Sequence, residues 1–142
     1  MRTMSRRFHA DQGSISAFVV ILAATLVLVA GLVLDGGRII SARREVSDVA
    51  QNAARAGAQA ISLAEARAGT TTVDPGAATA AVAAYLARTG HRGSPRVTGD
   101  TVEVTVVDTV PMLLLSIASV GDRTVHAVET ARIVQGVTGA ES

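Results

Sequence analysis

Apolar residues crowd one stretch near the N-terminus and then give way to three different patterns. Ser14 to Leu34 reads SISAFVVILAATLVLVAGLVL, 21 residues without a charge. As a helix this run is roughly 30 Å long, the thickness of a bilayer's hydrocarbon core. Thirteen of its residues are Leu, Ile, Val or Phe. Together they favour insertion by roughly 4 to 8 kcal/mol, more than Ser14, Ser16, Thr25 and Gly31 take back. The pattern predicts a transmembrane helix over 14–34. A cleaved secretory signal is the competing reading, with Arg2, Arg6 and Arg7 as its basic region and Leu28-Val29-Ala30 near its cut. A signal's apolar core is usually about 7–15 residues, however, and this run stays apolar through Leu34.

After Asp35 the period becomes helical and one-sided. Ile39, Ala42, Val46, Ala50, Ala53, Gly57, Ala60 and Ala64 recur at three- and four-residue spacing, so they share one stripe. Arg44, Ser47, Gln51, Arg55, Gln59 and Ser62 fall on faces that suit water. The pattern predicts a helix over 38–68 with a small-residue packing seam at Ala50, Ala53, Gly57, Ala60 and Ala64. Small side chains bury little area but let a second backbone approach closely. The seam covers either the domain's own core or a neighbouring subunit. Gly36-Gly37 either hinges the two helical stretches or is absorbed into one helix.

Gly69 to Val73 reads as a polar connector. Asp74-Pro75 is a helix start, and the Ala-rich run from Pro75 to Arg88 should stop at Gly90, with Ala78, Val82, Tyr85 and Leu86 as its apolar face. His91 to Pro95 is expected as a loop. The period then becomes two: Arg96 to Thr98 and Thr101 to Val106 flank Gly99-Asp100 as a hairpin, with Val102, Val104 and Val106 turned to one face. PMLLLSIASV, from Pro111 to Val120, is too short to span and is expected as a buried turn or two of helix ending at Gly121. Arg123 to Val134 is a strand whose alternation slips at Glu129, marking a bulge or an edge. Gly136 to Ser142 is a tail. The predicted class is α+β: a transmembrane helix continuing into an Ala-rich helix pair packed on a small antiparallel sheet.

Charge sets the expected topology. Three Arg against Asp11 precede the span, whereas acids and Arg balance just after it, so residues 1–13 should be a cytoplasmic basic leader and 35–142 an extracytoplasmic domain. A net charge of +1 gives no reason to expect nucleic acid. The chain has no Cys, which excludes disulfides and thiol chemistry. Phe8, Phe18 and Tyr85 are its only aromatics, too few for a stacking platform or an ordinary ligand pocket. All thirteen basic residues are Arg, as a GC-rich bacterial genome would favour.

Catalytic patterns are missing. His9, His91 and His126 are scattered, and His91 and His126 with Glu103 or Asp108 are better explained as solvated side chains than as metal ligands. Ser94, Ser116 and Ser119 lack a nucleophile elbow, and no glycine-rich phosphate loop follows a strand. No enzyme, cofactor, metal or small-molecule substrate is expected.

Gly13 before the span, Asp35-Gly36-Gly37-Arg38 after it, and DVAQNAARAGAQAI from Asp48 to Ile61 together resemble the TadE/TadG-like pilus-assembly proteins of Flp-type tight-adherence systems. The resemblance covers roughly residues 10 to 65. It implies a minor pilin or pseudopilin, or an assembly factor resident in the cytoplasmic membrane. It also implies as partners the lipid bilayer, other pilus-assembly subunits and a prepilin peptidase. Type IV-like prepilins are cut after a Gly at the cytoplasmic edge of the span, which carries over to Gly13 with Ser14 as the new N-terminus. One departure stands out. The family's Glu at the fifth mature position is Phe18 here, which cannot pair with a neighbouring N-terminal amine. A bitopic scaffold or envelope accessory protein unrelated to pili remains the alternative.

Overall fold

The computed structural model describes residues 8–67, 69 and 72–133. Most of the basic leader and the 136–142 tail lie outside the described residues. In chain order the elements are α1 (Phe8–Ala58), α2 (Leu63–Arg67), α3 (Pro75–Thr89), β1 (Arg92–Thr98), β2 (Thr101–Val110), a 3-10 turn (Leu115–Ala118) and β3 (Arg123–Arg132). The class is α+β, with a three-stranded antiparallel sheet in the order β1-β2-β3. The chain divides into two units. One joins the residues up to Arg38 with Pro111–Asp122, and the other joins Ile39–Val110 with the residues from Arg123 onward.

The first unit holds the apolar part of α1. Its large side chains from Ile15 to Leu34 are exposed, which in water would be unfavourable and in lipid is the expected state. Thr25 turns its hydroxyl back to the Ile21 carbonyl at 2.8 Å, so the span's one threonine keeps its donor satisfied within the helix. Gly36 and Gly37 sit inside α1, so the two glycines are absorbed rather than forming a break.

The second unit has a core of small side chains. Val46, Ala50, Ala53, Ala54 and Ala58 of α1, Ala78, Val82 and Leu86 of α3, and Val102, Val104 and Val106 of β2 are buried. Helix α3 forms where its signals place it. Asp74 accepts from the N–H groups of Gly76 and Ala77 at 2.9 and 3.0 Å, and Gly90 closes the helix in the left-handed region at φ 73°. The Thr98–Thr101 pair closes the hairpin with Gly99 at φ 61°.

Three expectations are corrected and one is narrowed. Helix α1 ends at Ala58 rather than near residue 68. Ala60 donates to the Gly57 carbonyl, and its own carbonyl takes the Asp74 N–H at 2.8 Å. The Ile61–Val73 bridge and a Ser62 N–H to Thr72 bond then give this backbone partners across the connector instead of along a helix. The segment expected as a loop over 91–95 is mostly strand, because β1 begins at Arg92. Pro95 fits there because β1 is an edge strand, where a missing donor costs little. Glu129 marks an edge strand but no bulge: it pairs directly with Val104 and is drawn inward by a 2.6 Å bond from the Ser47 hydroxyl. The run from Pro111 to Val120 is neither α-helical nor buried throughout. Its turn is 3-10, Met112 is buried, and Leu113 and Ile117 are exposed.

Candidate functional site

The chemistry of the first unit converges on Asp35. This carboxylate closes the apolar stretch of α1 and is the buried charged side chain among the described residues. One oxygen accepts from the Leu113 N–H at 3.0 Å. The other accepts from Leu114 at 3.0 Å and Leu115 at 2.8 Å. These three groups open the 3-10 turn, where backbone donors have no partner in the turn itself. One turn further along α1, the Arg38 guanidinium donates to the Pro111 carbonyl at 2.9 Å and lies 4.0 Å from Asp35. The pair thus grips both polarities of the incoming backbone.

The same contacts set the acid's protonation. The Leu115 N–H, first among the causes, holds the Asp35 carboxyl below its ordinary value. Burial works in the opposite direction, and the Leu113 and Leu114 N–H groups and the Arg38 charge add to the lowering. The group is an anion at neutral pH. It acts as an acceptor only, which suits three converging donors.

Gly31, one turn before Asp35, is buried. A Cβ there would lie 3.0 Å from the Leu114 Cβ and 3.6 Å from Leu115 Cδ2. Leu114 and the Leu115 side chain therefore rest against the span itself, over a glycine that leaves them room. Neither Asp35 nor this contact was anticipated from sequence. The available signal was a lone carboxylate one residue past an apolar run, followed at i+3 by Arg38, with a second apolar run elsewhere in the chain.

The other sequence-predicted positions fall as follows. Gly13 and Ser14 lie within α1. Phe18 is exposed on the apolar stretch. Of the seam, Ala50, Ala53 and Gly57 are buried in the second unit, where a Cβ on Gly57 would come within 2.9 Å of both Val82 and Val102. Ala60 sits past the end of α1, half-buried, and Ala64 belongs to α2. His91 approaches Glu45 at 3.8 Å, while His126 stands opposite Val107 and Asp108 opposite Val125 in the sheet. Among the described residues no three His, Asp or Glu side chains converge as a metal site would require.

Residues 13–60 match the family model described as "Putative Flp pilus-assembly TadE/G-like". This part of the chain is Tad-like. The Tad-like segment spans nearly all of α1, from Gly13 past Ala58, and so contains Asp35, Arg38 and the buried Ala50, Ala53 and Gly57. It links the chain to Flp pilus assembly, and α1 holds one stretch long and apolar enough to anchor it in a membrane. The sheet and α3 lie beyond the match. No curated protein and no solved structure matches the chain.

Proposed function

We propose that the chain is a membrane-anchored subunit of a Tad-type pilus apparatus, a minor pilin or pseudopilin that serves fibre assembly rather than catalysis. The observation that carries this reading is a family-matched helix whose large apolar side chains from Ile15 to Leu34 lie exposed, only Gly31 being covered. A bare span is what a subunit needs if it waits in lipid and then packs against other spans. Other pilus subunits are its partners, and the domain after Asp35 faces outward, as the arginine excess before the span supports.

Processing separates a fibre subunit from a resident assembly factor. As a prepilin the chain is cut after Gly13, where the family match also begins. In a host with a prepilin peptidase, intact-mass spectrometry of the membrane-extracted protein should show a chain starting at Ser14. Replacing Gly13 with a bulkier residue should restore the full mass. A mass retaining residues 1–13 would instead assign the chain to the resident assembly machinery. Phe18 in place of an acid favours that second role, because no carboxylate is available there to register one subunit on the next.

A further inference from the structure

We infer that the loop from Met112 to Val120 is a second membrane contact, seated in the lipid at the Asp35 end of the span. The inference rests on reading the span as a membrane anchor. Three observations within the first unit point to it.

The first is depth. Leu114 and the Leu115 side chain pack on Gly31, which is four residues inside the apolar run from Asp35 and so about 6 Å further along the helix axis. Whatever surrounds Leu28 and Leu32 at that level also surrounds the loop. The second is side-chain character. Leu113 is 62% and Ile117 77% exposed, and they project from a loop whose other large apolar side chains are Met112, Leu114, Leu115 and Val120. An exposed apolar cluster continuous with a bare span belongs to the same apolar solvent.

The third observation is the backbone. Irregular structure is tolerated in hydrocarbon only where its polar groups find partners within the protein. Leu113, Leu114 and Leu115 give their N–H groups to Asp35. Ile117 donates to the Leu114 carbonyl, Ser119 to Ser116, and Val120 to Leu115. The Ser116 hydroxyl returns to the Leu113 carbonyl at 2.7 Å, and Arg38 covers the Pro111 carbonyl. The clamp on Asp35 is thus the means by which an apolar loop lies beside a lipid-embedded helix without leaving the Leu113, Leu114 and Leu115 donors bare.

The chain's lack of cysteine makes the test direct. Full-length Ile117→Cys, labelled with an environment-sensitive fluorophore and reconstituted in phosphatidylcholine vesicles, is compared with Leu26→Cys in the span and Ala83→Cys on an exposed face of α3. Nitroxide-bearing lipids should quench most of the emission at 117 and at 26 and leave 83 bright. Quenching at 26 with a water-like, unquenched signal at 117 would overturn the loop's lipid contact and leave the anchor standing. A blue-shifted but unquenched signal at 117 would overturn it in favour of a second copy of the chain covering the loop. An unquenched probe at 26 would overturn the anchor and the loop contact together.

Discussion

Two residues carry consequences that outrun their size. Asp35 is a single carboxylate with three backbone donors, and Asp35→Ala would leave the Leu113, Leu114 and Leu115 N–H groups without an acceptor. Their amide exchange should accelerate by roughly tenfold or more, since an orphaned buried donor forfeits the whole bond, while the β2 amides stay protected. Because the carboxyl is held below its ordinary value, the clamp is complete at and above the usual aspartate range. It fails only as the pH falls through the lowered value. The Leu113–Leu115 amide chemical shifts should therefore stay flat from neutral pH down past 3.8 and move only in stronger acid; a change near neutrality would contradict the clamp. Gly57 is the other residue. With Val82 and Val102 already within 2.9 Å of where its Cβ would stand, Gly57→Leu should lower unfolding stability by about 1–3 kcal/mol or more. Gln51→Leu, on an exposed face of the same helix, should stay within about 0.5 kcal/mol by chemical denaturation in detergent.

Elements differ in how far the residues alone announce them. Helix α3 was legible from end to end because its signals are local: Asp74 caps, Pro75 starts and Gly90 stops. Asp74→Ala should cost about 0.5–2 kcal/mol in denaturant unfolding, and Asp74→Asn, which keeps the accepting oxygen, much less. The hairpin's turn and buried face were equally readable, since Gly99-Asp100 and the alternating valines of β2 specify them together, although β2 runs on to Val110 rather than ending at Val106. What failed had non-local causes. The end of α1 at Ala58 depends on Val73 and Asp74, over a dozen residues later, offering competing backbone partners. The early start of β1 depends on Gly93 fitting where a Cβ would strike the Thr105 carbonyl, a close approach that periodicity does not register. The run at Pro111–Val120 looked like core because its composition is apolar, and its exposed side reads as wrong only if the solvent is assumed to be water. Asp35 was passed over for a related reason: a charge at the end of a span ordinarily marks a boundary, and its donors lie 78 to 80 residues away.

At the scale of the whole chain, one helix long and apolar enough to cross a membrane coincides with the Tad-like match over residues 13–60. The orientation proposed above can be checked with a reporter fused after Ser142 that is active only outside the cytoplasm. Activity is expected, and a reporter active only in the cytoplasm would reverse the topology. The distribution of aromatic rings offers a separate handle on the molecule. Tyr85 is the one tyrosine in a chain without tryptophan. It is half-buried on α3, with the Arg88 guanidinium 5.7 Å from its ring centroid. Tyrosine absorption and emission from this protein therefore report on a single helix, since the membrane stretch holds neither tyrosine nor tryptophan. Release of α3 from the sheet would register as a change in one chromophore, in detergent or in vesicles, without any label.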